Sequence, residues 1–335
     1  MKFLYFTDTH IRGSSPKNRL DTFPDALETK LTEVVNIANQ HEVDAVLHGG
    51  DVFDRPDLSP NIVSRFLRVF QKFEAPIYAV AGNHDTFGHN PDTLKRTMLG
   101  LLHEAGIMHV IGAGEPVQFT SKTSRVQVSG QPYHYGIDRR NSELDYAPPP
   151  APDEDTVKIH IVHGSLVERP LPEGVPCTLL DHVFDLGADI LLTGHVHDGF
   201  GHKQKNGKHY INPGAIARVN NHWTEYQRKP RVLLIDIDDQ TPAFEFINLQ
   251  SASPAEEVLD RSMLEKASHR EEKLNAFIQN VRSHSDFQVM SIHDIINEIA
   301  DAPEDEGGVS TDVKEEALRR LRAAEERWHH NHETD

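Results

Sequence analysis

Residues 2–10 read Lys-Phe-Leu-Tyr-Phe-Thr-Asp-Thr-His, and the rest of the chain is best read outward from them. Lys2–Phe6 is an aromatic-rich run that reads as a buried strand, and Asp8 and His10 follow it directly. The same punctuation recurs downstream. A strand-like run at 44–48 leads into Gly50-Asp51-Val52-Phe53-Asp54, and one at 77–81 leads into Gly82-Asn83-His84-Asp85. Runs at 157–162 and 190–193 lead into His163-Gly164 and Gly194-His195-Val196-His197. Amphipathic helical patterns lie between or after the first three strands. Residues 23–40 place Leu27, Leu31, Val34, Val35 and Ala38 on one face, and similar patterns cover 61–73 and 93–105. This alternation signals βαβ units around a buried sheet. The carboxyl ends of parallel strands share one edge, where open α/β sheets bind ligands, so the polar clusters are expected to meet there.

Beyond Ile107 the rhythm changes to short strands at 117–119, 125–129, 157–162, 190–193, 209–212 and 231–236. These predict a layered α/β body, built from two sheets or from one strongly curled mixed sheet. APPPAPDED at 147–155 is a proline-rich acidic loop. Beyond Pro254 the patterning is helical: an amphipathic stretch from Val258 to Val281, a helix opening at 291–294, a linker at 301–308 and a last helix from Asp312. The expected organisation is a catalytic body at 1–250 and an acidic helical region at 251–335, serving as partner-binding segment, lid or dimer element. Residues 251–335 carry 20 acidic against 10 basic side chains.

The 335 residues are 37% hydrophobic and 26% charged, enough for a full core and unlike a disordered chain. A lone cysteine, Cys177, excludes an intramolecular disulfide framework. The first residues have neither a basic nor a long apolar segment, and no stretch reaches 18 apolar residues. Neither secretion nor a membrane span is expected, and a cytoplasmic protein is. The formal charge of −18 argues against a broadly electropositive nucleic-acid surface. Bound divalent cations would still invert the potential of a carboxylate-rich cleft.

The strand-end residues Asp8, His10, Asp51, Asn83, His163, His195 and His197 supply carboxylates, an amide oxygen and imidazoles, with no thiolate. Such a set suits Mn²⁺, Fe²⁺ or Zn²⁺. Sharing one carboxylate, these residues satisfy two ions, an arrangement that polarises a phosphoryl group and activates water. A single-metal site is the alternative. Asp51 has two oxygens and can touch both ions. Asp85 either orients His84 or caps a turn. Asp54 either supports a ligand, directly or through water, or caps the local backbone. Arg12, His134 and Arg218 are candidate contacts to a substrate phosphate, against ordinary surface or turn roles. His48 and His160 lie inside strands and read as core histidines.

The succession DTH, GDVFD, GNHD, VHG and GHVH resembles the motif series of the calcineurin-like metallophosphoesterases over about residues 1–240. Within that family MKFLYFTDTHIRG, Asp54 and the QPYH segment at 131–134 resemble the SbcD-type branch, nuclease subunits of DNA double-strand-break repair complexes. The resemblance implies a sandwich of two mixed β-sheets flanked by helices, with the C-terminal helices appended. It implies one ion, Mn²⁺ foremost with Fe²⁺, Zn²⁺ or Mg²⁺ as alternatives, on Asp8, His10, Asp51 and His197. A second ion would sit on Asp51, Asn83, His163 and His195. His84 would act as general acid or electrostatic stabiliser, and Asp54 and Asp85 join it as catalytic candidates. A DNA nuclease, exo- or endonucleolytic, working as a homodimer with an SbcC-like ATPase, is the implied function. The helices at 61–73 and 93–105 would then pair across the dimer axis. The acidic charge and the short C-terminal remainder favour instead a phosphodiesterase for cyclic nucleotides or other small esters. A scaffold that keeps the fold without turnover is a third reading, opposed by the intact motif residues.

Overall fold

The computed structural model describes residues 1–262 and 312–320. Its elements run β1 (Lys2–Phe6), α1 (Phe23–Gln40), β2 (Ala45–His48), α2 (Pro60–Phe70), β3 (Ile77–Ala79), α3 (Met98–Glu104) and β4 (His109–Val110). Then come β5 (Val117–Thr120), β6 (Arg125–Gln131), α4 (Glu143–Tyr146), β7 (Val157–Val162), β8 (Leu166–Val167), β9 (Thr178–Leu179) and β10 (Ile190–Thr193). The last are β11 (Gly201–Lys205), β12 (Lys208–Asn212), α5 (Trp223–Gln227), β13 (Arg231–Asp238), β14 (Thr241–Asn248) and α6 (Ala255–Val258). Residues 312–320 are helical. Among the described residues no helix is long and apolar enough to cross a membrane.

The described residues form two mixed six-stranded sheets, ordered β14-β13-β1-β2-β3-β4 and β11-β12-β10-β7-β6-β5, and a short β8-β9 pair. In the first, β1 to β4 are parallel and β13–β14 close the edge antiparallel. In the second, β6, β7, β10 and β12 are parallel, flanked by antiparallel β5 and β11. Side-chain alternation along a strand divides each sheet's residues between two cores. In β1, Phe3 and Tyr5 join Ile159, Ile161, Leu192 and Leu233 between the sheets. Leu4 and Phe6 face the other way, into a core completed by α1, α2 and α3. The outer face of the second sheet is covered by Ile137, Tyr146, Leu180 and Val183.

The α1 stripe is buried as the periodicity demands, with Pro24 in the first turn and Leu27, Leu31, Val34, Val35 and Ala38 in the core. The helix expected over 93–105 is instead two pieces. A 3₁₀ turn covers Pro91–Arg96, Thr97 is extended, and its hydroxyl accepts the Gly100 N–H to start α3. A threonine at an N-cap is the physical reason for the break. The apolar faces proposed for dimer pairing are largely committed to this core: Phe66, Val69, Phe70 and Leu102 are buried, whereas Leu101 is exposed. Strands β11 and β14 were not expected; both are sheet edges of mixed exposure, and Pro242 in β14 is a residue that edge strands tolerate.

The first compact unit extends over Met1–Asp260, beyond the boundary expected at 250. Val258 and Leu259, read as the opening of a tail helix, are buried with Ala255 against Tyr226, and the Leu20 N–H bonds the Val258 carbonyl. The second unit is Arg261–Asp335. The expected patterns at 263–311 and 321–335 lie outside the described residues.

Both core histidines are buried. His160 shares a hydrogen bond with the Ser129 hydroxyl (2.8 Å) and reaches the Asp145 carbonyl. Burial holds its imidazole down at about 4. A histidine depressed in the folded state stabilises above its unfolded value near 6.5 and destabilises as the pH falls towards 4. In urea denaturation, His160→Gln is therefore expected to lose about 2 kcal/mol less stability between pH 7.5 and 5 than the unsubstituted chain.

Candidate metal centre

At the carboxyl ends of β1, β2, β3, β7 and β10 five loops converge. The first two run side by side: the N–H groups of Asp8, His10 and Ile11 donate to the carbonyls of Gly50, Asp51 and Val52. Asp8, His10, Asp51 and His195 all have positive φ (46° to 71°), the left-handed region that L-residues seldom occupy. Such strain persists where the surroundings over-determine it, typically at functional sites. Glycine performs a different service here. A Cβ on Gly82 would lie 2.1 Å from Asp51 Oδ1, so the third loop reaches the second only because residue 82 has no side chain.

Two groups of ligand-type atoms result, Asp8–His10–Asp51–His197 and Asp51–His163–His195, each within 4.8 Å. Asp51 belongs to both. Its Oδ1 accepts the His84 backbone N–H at 2.9 Å, and its Oδ2 lies 3.6 Å from His10 Nε2 and 3.3 Å from His163 Nε2. Oδ2 is thus the Asp51 oxygen that faces both His10 and His163. Asn83 Oδ1 joins the second group, 3.2 Å from His163 Nε2. Asp8 accepts the Thr7 hydroxyl and the His195 N–H.

The donor set fits divalent ions. His10 Nε2 and His197 Nε2 stand 2.9 Å apart, close enough for both to reach one ion at the roughly 2.0–2.1 Å of a metal–imidazole bond. His163 Nδ1 donates to the Gly49 carbonyl (2.7 Å), leaving Nε2 as the ligating nitrogen. Metal-bound histidines characteristically make such a bond. Burial pushes the Asp8 carboxyl up, against the pull of His197 and His163. Burial also opposes charge on Asp51, but His163, His10 and His84 together hold its carboxyl well below the usual range. Burial likewise opposes charge on His163, yet Asp51 and then Asp8 lift it to about 9. His195 is held down to about 3 by burial, reinforced by His163. Buried, opposed charges of this kind are what a bound cation compensates.

His84 is exposed. Its ring Nδ1 donates to the Asp54 carbonyl at 2.8 Å, so Nε2 remains for a substrate. The group orienting His84 is thus the Asp54 backbone, and Asp85 does something else. The Asp85 carboxylate is fully buried, accepts the N–H groups of Val52, Phe53 and Gly82, and rises to about 7 through burial and the charge of Asp51. It ties the second loop to the third, the capping alternative rather than the orientation of His84. The Asp54 carboxylate lies 3.8 Å from His10 Nδ1 and 3.3 Å from Arg12 Nη1.

The remaining candidates divide. Arg12 stands beside Asp54 at the margin of the cluster. Arg218 does not face the centre: its buried guanidinium donates to the carbonyls of Glu225, Ser253 and Arg228 and braces the following loops. His134 uses both ring nitrogens locally, Nε2 towards Asp145 and Nδ1 for the Gly136 N–H. The neighbouring Tyr133 is the residue that meets the centre, its ring 5.4 Å from His195 and 6.2 Å from His163. Strand alternation could not have found it, because β6 ends at Gln131 and Tyr133 lies beyond it.

The calcineurin-like phosphoesterase family model matches residues 1–199, and the chain belongs to that family. It is 22% identical to the double-strand break repair protein mre-11 of Caenorhabditis elegans over 322 residues, covering 79% of this chain and 43% of that protein. It is 22% identical to the DNA double-strand break repair protein Mre11 of Sulfolobus acidocaldarius over 264 residues, covering 74% and 64%. To the SbcD component of the nuclease SbcCD of Bacillus subtilis it is 32% identical over 117 residues, covering 33% and 27%. The chain thus spans less than two thirds of each of these relatives. It shares this family, and kinship at low identity, with the SbcD and Mre11 proteins.

Gly82→Ala forces Asp51 aside and is expected to weaken Mn²⁺ affinity about 10- to 100-fold, as loss of a metal ligand's support does. Calorimetric titration measures this, with far-UV circular dichroism unchanged.

Proposed function

We propose that the chain is a dinuclear metal-dependent phosphodiesterase that cleaves DNA, a nuclease of the SbcD type. The observation that supports two ions is Asp51 Oδ2, which faces His10 and His163 at once. DNA as substrate rests on the relatives' names. Asp8, His10, Asp51 and His197 would hold one ion, and Asp51, Asn83, His163 and His195 the other. Mn²⁺ is the first choice for this nitrogen and oxygen set, ahead of Fe²⁺, Zn²⁺ and Mg²⁺. When bound, the ions neutralise charge on the phosphoryl group and acidify the attacking water.

The chain's own residues supply the rest. Asn83 contributes an uncharged oxygen and so limits negative charge beside the incoming diester. His84, its Nδ1 proton fixed on the Asp54 carbonyl, presents Nε2 to give a proton to the leaving oxygen. Asp85 keeps the loops carrying Asp51 and His84 in register. A homodimer, an SbcC-like ATPase partner acting on residues 251–335 and a cytoplasmic location complete the reading. The net charge of −18 favours a second one, turnover of cyclic nucleotides or other small phosphodiesters.

Mn²⁺-loaded protein is to be offered linear duplex DNA, single-stranded DNA, a cyclic dinucleotide and an aryl phosphodiester. DNA cleavage is expected, abolished by chelation and lowered about 10²- to 10⁴-fold in His84→Ser, the usual contribution of a general acid. Turnover of the small esters with DNA left intact at matched enzyme would overturn the nuclease in favour of the second reading.

A further inference from the structure

The Asp54 carboxylate borders two spaces. On one side are His10 and His84, and on the other is a cavity of about 200 Å³ whose walls include Arg12, Ser14, Arg55, Ser59 and Ile62. We propose that this cavity is the subsite for the phosphate adjacent to the cleaved one in a nucleic-acid strand, with Arg12 as its principal contact and Arg55 at its mouth. The proposal rests on the nuclease reading and adds to it how a strand would be held.

Size is the first argument. Pockets that enclose a whole small ligand run to roughly 300–1,000 Å³, so this one takes a group belonging to a larger molecule. The polar inventory is the second. Arg12 Nε is buried and has no hydrogen-bond partner, and Arg12 Nη1 makes only a 3.3 Å contact to Asp54. A buried donor on a charged group without an acceptor is costly, and the planar guanidinium fork matches a phosphate. Ser59 stands at the N-cap of α2, yet its side chain caps nothing, which leaves its hydroxyl for a ligand. Arg55 reaches Asp57 at 3.5 Å, with both side chains more than 60% exposed. Such a surface pair is weak and readily exchanged for a phosphate.

The opposing charges are Asp54 and Asp57, each paired with one of these arginines. Asp54 takes one nitrogen of Arg12, so the guanidinium is positioned and only part of its charge is cancelled. In a chain of net charge −18, two arginines beside the centre give a polyanionic strand a local foothold. A small diester that fills only the metal centre would gain nothing from them.

The test uses oligothymidylates carrying one neutral methylphosphonate, placed one linkage before or one linkage after a defined cleavage position. With Mn²⁺-loaded protein, neutralising one of these two linkages is expected to lower kcat/KM about 10-fold, mainly through KM, as loss of one charge-assisted hydrogen bond would. Arg12→Gln is expected to lose that sensitivity, giving equal kcat/KM for the charged and neutral linkages. Arg55→Gln is expected to retain part of it. If Arg12 only braced Asp54, its substitution would slow all oligonucleotides alike and leave the ratio between linkages intact, which overturns the proposal. Equal cleavage of all three oligonucleotides by the unsubstituted chain overturns the subsite while the nuclease reading stands. Failure to cleave any oligonucleotide, with an aryl phosphodiester still hydrolysed, overturns both.

Discussion

Two carboxylates buried among imidazoles are the constraint on which this molecule is organised. Asp8 and Asp51 are removed from water, and an uncompensated buried charge is among the most expensive features a fold can carry. Their compensation is divided. Backbone N–H groups of His195 and His84 take some of the oxygen valence, the Thr7 hydroxyl takes more, and what remains points at four imidazoles. The residual imbalance is a demand for cations, and it explains why the donors crowd as closely as they do.

Meeting that demand requires backbone that no single loop would adopt alone. Four of the residues in the cluster sit at positive φ, each costing roughly 1–3 kcal/mol. The two-sheet sandwich offsets this cost. Phe3, Tyr5, Ile159, Ile161 and Leu192 fill the space between sheets, and that packing fixes the strand ends from which the loops depart. Asp85 then links the second loop to the third, and the Gly49 carbonyl holds the His163 ring. The rigidity of the centre is thus inherited from an apolar core and passed on through a few main-chain hydrogen bonds.

The same arrangement separates binding from chemistry. The carboxylates, His10 and His163 are buried and His195 and His197 half-buried, whereas His84 is exposed, held from behind by the Asp54 carbonyl. Asp54 consequently has two distinct parts: a carbonyl that orients His84 and a carboxylate that stands between His10 and Arg12. Reading the side chain alone conceals the first of these.

The strand, helix, strand order, the α1 stripe and the Asp, Asn and His residues at the strand ends were legible from local sequence. A four- or five-residue apolar run followed by Asp, Asn or His is a pattern of neighbours, and burial of alternate residues is imposed by strand geometry. Edge strands β11 and β14, the interruption at Thr97 and the seating of Val258 and Leu259 were not legible, because each depends on what packs against it. For the same reason local order does not reveal that Asp85 and Arg218 bond backbone groups, or that Tyr133 rather than His134 meets the centre. Sequence by itself determined which residue types stand at which strand ends, and hence the family of chemistry. Only the tertiary structure decided which atoms face inward, that one Asp51 oxygen serves both groups, and which charged side chains are already satisfied. Those facts rest on distances between loops far apart in the chain, and local order carries no record of them.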